Sequence, residues 1–215
     1  MAEGLGIDIE QLKKTISDPD TWDREFMCKF AADFSSLVDT SLLEFCEPSG
    51  AVTARWMGMD VGSTSDRTAV VTIAELADKT LYVEDVAVLH KASYESQLDV
   101  LRQLHAKNAY VSGLIDANGI GSALAEFATK QVSARLKPFT WTGSNKTPSY
   151  EALRAKIFDH QLKFAPHLKD LFISDFSNVH RIVSEAGRVT YEAGRNADGH
   201  SDATSALVLA LQAAR

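Results

Sequence analysis

The sequence has 215 residues, 45% hydrophobic and 24% charged, ordinary figures for one sizeable globular domain plus an extension. No apolar run approaches the roughly 20 residues that span a bilayer, and "MAEGLGIDIEQLKK" lacks the apolar core of a secretory leader. The net charge of −7 argues against tight duplex binding, but residues 1–59 hold 5 Lys/Arg against 11 Asp/Glu, so the remainder is close to neutral.

Residues 1–52 read as an extension, helical and then irregular, and 53–215 as the main domain. "SDPDTWDREFMCKF" begins with Ser17 or Asp18 as a cap and Pro19 in the first turn. Trp22, Phe26, Met27 and Phe30 follow at helical spacing. "CEPSGA" at 46–51 marks the boundary turn. Cys28 and Cys46 have no metal-ligand spacing and are expected to be reduced thiols.

From Arg55 the pattern becomes β-rich. "RWMGMDVG", "RTAVVTIAEL" and "TLYVEDVAVLH" predict three strands close enough to form an antiparallel meander, with a turn at "ADK". "SYESQLDVLRQLHAKN" sets Leu98, Leu101, Leu104 and His105 on one helical face. "AYVSGLIDANG" is the fourth strand, "GSALAEFATKQV" a helix and "LKPFTW" the fifth strand. A helix over "TPSYEALRAKIFDHQ" is expected with Thr147 as cap and Pro148 first. A short strand near "LKFAP", a helix through "FSNVHRIVSE", a strand at "RVTYEA" and an apolar helix over "SDATSALVLALQAA" complete the chain. The fold class is α/β: a mixed five-stranded sheet, three antiparallel strands and then parallel ones, with helices on both faces.

Three acids stand at related places. Asp60 ends the first strand, Asp116 ends the fourth, and Asp202 opens the last helix with Ser201 as its cap. Taken singly, a strand-end aspartate is ordinarily a turn residue and a helix-start aspartate a cap. Taken together on one sheet edge, where open α/β sheets place their sites, they would raise one another's pKa unless cations neutralise them. Oxygen-only ligands suit Mg²⁺ or Mn²⁺. Two ions about 3.5–4 Å apart would clamp a phosphodiester for in-line hydrolysis. Asp60 is expected to bridge both, with Asp116 and Asp202 completing one coordination shell each.

"GMDVGSTSDRTAVV", "GLIDANGIGSALAEF" and "GHSDATSALVLAL" resemble the three acidic motifs of the nuclease domain of large terminase subunits, the DNA-packaging motors of tailed bacteriophages. The resemblance covers about residues 53–215 and implies a ribonuclease H-like fold with Asp60, Asp116 and Asp202 as catalytic metal ligands. It further implies Mg²⁺- or Mn²⁺-dependent cutting of double-stranded DNA with little sequence preference, in the host cytoplasm. "DPDTWDREFMCKF" is similar to the segment joining the terminase ATPase domain to the nuclease domain. The partners so implied are that ATPase domain, the small terminase subunit and the portal. The sequence carries no G-x-x-x-x-G-K-[ST] phosphate loop, so no packaging ATPase is expected within it.

Asp66 and His200 are accessory candidates, and Lys146, Arg188 and Arg195 are candidates for holding DNA phosphates. Trp141 reads as core, and Asp198 as loop. Two rival readings stand beside this one. "MDVGSTSDRTAVV" also resembles the first phosphate loop of actin-like and sugar-kinase ATP-binding domains, whose second domain and Asp-Gly-Gly turn have no counterpart here. A ribonuclease H-like nuclease acting on branched DNA is the other.

Overall fold

A computed structural model describes residues 35–63, 67–184, 187–194 and 201–215. The expected helix carrying Trp22 to Phe30 lies outside them. Two short strands, β1 (Ser35–Ser36) and β2 (Glu44–Phe45), precede three long ones: β3 (Val52–Asp60), β4 (Arg67–Leu76) and β5 (Leu81–His90). The long strands form the expected antiparallel meander, with Gly58 opposite Val71 and Val71 opposite Val86. The β4–β5 turn is closed by the Asp78 carboxylate, which accepts the Thr80 N–H at 2.9 Å, with Lys79 in the left-handed region at φ 71°.

Helix α1 (Tyr94–Asn108) is capped by Ser93, whose Oγ accepts the Ser96 N–H at 3.2 Å. It leads to β6 (Ser112–Asp116), α2 (Gly121–Gln131), β7 (Leu136–Phe139), α3 (Lys146–Phe158) and β8 (Leu162–Phe164). Helix α4 (Lys169–Ser177), the hairpin β9 (Val179–Val183) and β10 (Val189–Ala193), and α5 (Asp202–Ala213) follow. The main sheet has seven strands in the order β2-β8-β5-β4-β3-β6-β7, and a second sheet joins β1, β9 and β10.

Strand alternation divides the core into two. Met57, Met59, Val70 and Ile115 pack beneath α1 and α2 with Leu101 and Leu124. Ala69, Val71 and Ile73 face the other way, toward α3, α4 and α5. On that side Phe164, Phe172 and Phe176 form a fully buried aromatic group, with centroids 5.0 to 6.1 Å apart. Each such side chain contributes about 1.5–3 kcal/mol by burial.

The sheet has seven strands where five were expected. Of the two additional ones, β8 is the short strand expected near "LKFAP", here paired into the main sheet, while β2, only 2 residues long, is too short for periodicity to register. One compact unit runs from Ser36 to Arg215, with Leu37, Val38 and Leu43 in its core. The helix expected through "FSNVHRIVSE" stops at Ser177, and "VHRIV" is instead the strand β9, as its Val, Ile and Val favour. Helix α3 begins at Lys146 rather than after Thr147, whose hydroxyl donates to the Val189 carbonyl of the hairpin at 3.2 Å.

Candidate functional site

Strands β3 and β6 run parallel and pair Met59 with Ile115, so Asp60 and Asp116 leave the sheet side by side at its C-terminal edge. Met59 and Ile115 point toward α1 and α2, so by alternation both aspartates point to the face covered by α3 and α5. Their carboxyl groups are in hydrogen-bonding contact. Burial pushes the Asp116 carboxyl above its ordinary 3.8; the Asn118 N–H at 2.9 Å, the Asp60 contact and the Lys146 charge act in the opposite direction. Asn118 also clasps the next loop, its side chain accepting the Trp141 N–H at 2.7 Å and donating to the Trp141 carbonyl at 3.2 Å.

Helix α5 brings the third acid to the same edge. It crosses β3 at Gly58, where a Cβ would stand 2.0 Å from the Ala206 carbonyl oxygen and 2.3 Å from the Ala210 nitrogen. Only glycine permits so close an approach. Asp202 lies one turn before Ala206, and Asp60 two residues after Gly58; each step is about 6 Å. The direction of the helix follows from Asp175 of α4. Its carboxylate accepts the Thr204 N–H in the first turn of α5 at 3.1 Å, and it feels the charges of Asp202 and of Arg67, which begins β4 beside the end of β3. The N-terminus of α5 therefore stands at the Asp60 end of β3.

Ser201 occupies the cap position of α5 but its side chain makes no cap bond; its hydroxyl donates to the Asp175 carbonyl at 3.0 Å. Capping falls to the Asp175 carboxylate. Burial, reinforced by the nearby Asp202 charge, pushes that carboxyl up to about 6 despite the N–H groups it accepts.

Helix α3 closes the site from its other side. The Tyr150 ring is buried, stacked on Tyr191 at 5.1 Å and tilted against Trp141 at 6.2 Å. Its hydroxyl shares a hydrogen bond with Ser205 Oγ at 3.2 Å. Burial raises the phenol to about 12, and the charges of Asp60, Asp116 and Asp175 add to the rise, so all three lie within electrostatic reach. Lys146, exposed at the start of α3, sets its Nζ 6.0 Å from the Tyr150 ring centre and acts on Asp116. Arg188 reaches the loop before α3, its Nη2 3.8 Å from where a Cβ of Gly143 would be. Two expected phosphate-holding cations thus flank the start of one helix. Asp66, Arg195, Asp198 and His200 lie outside the described residues.

The donor set is made of hard carboxylate oxygens, the chemistry that suits Mg²⁺ or Mn²⁺. Among the described residues, no group of three or more His, Cys, Asp or Glu side chains is gathered tightly enough to hold a metal ion. Asp116 is in contact with Asp60, and Asp175 feels the charge of Asp202.

Sequence reasoning missed Asp175, Tyr150 and Asn118. Asn118 was detectable, since "DANG" is an Asx-turn signal. Tyr150 follows Lys146 by four residues and so shares its helical face, a weaker sign. Asp175 gives no local signal.

Neither a protein-family model nor a curated protein matches this sequence. Solved structures do match its fold. The large terminase nuclease from thermophilic phage G20c with bound magnesium aligns at TM-score 0.67 and 18% identity, covering 85% of this chain and 98% of that one. The nuclease domain of the large terminase from bacteriophage SPP1 with bound Mn aligns at TM-score 0.58 and 15% identity, over 83% and 99%. The HK97 bacteriophage large terminase aligns at TM-score 0.66 and 14% identity over 96% of this chain, which spans 50% of that protein. The mixed sheet flanked by helices matches the ribonuclease H-like fold of phage large-terminase nuclease domains.

Proposed function

We propose that this chain is an endonuclease that hydrolyses phosphodiester bonds of double-stranded DNA with little sequence preference, as the genome-cutting part of a phage packaging terminase. The contact between Asp60 and Asp116 at the ends of adjacent parallel strands carries the reading. Two half-buried carboxyls in contact favour a shared proton or a cation between them, and the α5 end that bears Asp202 lies at the same edge. The fold is one whose solved relatives include nuclease domains with bound magnesium and bound Mn.

Asp60, Asp116 and Asp202 would hold two Mg²⁺ or Mn²⁺ ions, which when bound would supply Lewis-acid activation of the attacking water and of the leaving 3′ oxygen. The remaining work belongs to the chain. Asn118 keeps the Asp116 carboxylate turned to the edge through its N–H. Lys146 and Arg188, exposed at one end of α3, bind backbone phosphates and set the duplex across the acids. Arg195 and His200 are added as a phosphate contact and an accessory group, and Asp66 as an outer acid. The partners of the reading are an ATPase domain, reached through residues 1–52, the small terminase subunit and the portal, in the host cytoplasm. Among the described residues no helix is long and apolar enough to cross a membrane.

The test is supercoiled plasmid incubated with purified protein and Mn²⁺ or Mg²⁺. Nicked and linear products are expected, abolished by EDTA and by Asp60→Asn with the fold intact. Full cutting by that variant would refute the assignment.

A further inference from the structure

The bond between Tyr150 and Ser205 links two helices at the site. Ser205 is three residues beyond Asp202, so both side chains lie on one face of α5, one turn apart. Tyr150 meets that face with its hydroxyl, which also feels the charges of Asp60 and Asp116 on the sheet. The ring needs no hydroxyl to stay where it is: Tyr191 stacks on one side and Trp141 leans on another. Tyr191 is itself anchored, donating to Glu151 Oε1 at 2.6 Å, and Arg181 of β9 approaches the same oxygen at 3.5 Å. A rigid aromatic stack therefore delivers one polar atom to the turn of α5 that carries the third acid.

We infer that Tyr150 is a positioning residue, whose hydroxyl, held against Ser205, fixes the first turns of α5 and so sets where Asp202 stands relative to Asp60 and Asp116. The inference rests on the nuclease reading above. Its physical basis is the small distance over which acids must be placed to share an ion; groups that orient ligands from behind typically alter metal affinity by 10–100-fold. Burial alone accounts for the ring, but not for a hydroxyl bonded to Ser205 on the Asp202 face of α5.

The experiment compares wild type with Tyr150→Phe, Ser205→Ala, the double variant and Ser205→Thr, which keeps a hydroxyl. Mn²⁺ binding is measured by calorimetry without DNA, plasmid cutting is followed across Mn²⁺ concentrations, and melting is followed by circular dichroism. Tyr150→Phe and Ser205→Ala are each expected to weaken Mn²⁺ binding about 10-fold and to raise the Mn²⁺ needed for half-maximal cutting in parallel. The melting temperature should move by no more than about 4 °C. The double variant should be no worse than either single one, because both remove the same bond, and Ser205→Thr should restore binding. Unchanged Mn²⁺ affinity in Tyr150→Phe, or additive losses in the double variant, would overturn the inference while a wild type that binds Mn²⁺ and cuts leaves the nuclease reading standing. A wild type that neither binds Mn²⁺ nor cuts overturns both.

Discussion

Asp175 accepts N–H groups from the first turn of α5, yet its carboxyl is raised from 3.8 to about 6 by burial and by Asp202. A raised carboxyl favours the folded state when protonated: its contribution is full below pH 3.8 and is lost as pH rises through about 6. The whole rise is worth at most about 3 kcal/mol, and partial exposure screens some of that, leaving about 1–2 kcal/mol. Asp175→Asn keeps an oxygen for the Thr204 N–H and loses the charge. It should melt higher than wild type at pH 7.5 in EDTA and at the same temperature near pH 4, as followed by circular dichroism. A difference independent of pH would contradict this account. Lys146 makes a separate case, because it is exposed at the site edge and acts on Asp116. Lys146→Ala should raise KM for plasmid several-fold, weaken the salt dependence of binding and leave the fold unchanged. At this scale the strand-end acids were legible because a strand ends visibly in sequence. Asp175 and Tyr150 were not, because their roles depend on which helices face each other across the sheet.

Among the elements, α5 is the most constrained. It is apolar almost all round, buries Ala206, Leu207, Val208, Leu209, Ala210 and Leu211, and lies directly on β3. Its backbone approaches Gly58 so closely that a single methyl would overlap main-chain atoms of Ala206 and Ala210. Gly58→Ala should therefore destabilise the domain by more than about 3 kcal/mol, measured by urea unfolding, and lower the soluble yield. The meander and the β6–α2–β7 unit were legible because turns and alternation announce them. Strand β2 was not, being 2 residues long, and β9 was taken for helix because five apolar and polar residues fit either period. The glycine in "MGMD" reads locally as a turn or a weak spot in a strand; its reason lies in the last helix of the chain.

For the whole molecule, charge and length set the expected strength of DNA binding. The chain carries a net −7, and its fold spans 50% of the HK97 large terminase. Isolated, it should cut weakly. Tethering it to a sequence-indifferent DNA-binding domain should raise the rate at least about 10-fold through effective concentration alone, measured as initial nicking rates at equal protein. The most direct measurement of the central claim is anomalous diffraction from crystals of this chain soaked in Mn²⁺. Peaks are expected within coordination distance of Asp60, shared toward Asp116 and Asp202 and absent in Asp60→Asn. Crystals of cutting-competent protein with no peak at those carboxylates would contradict it.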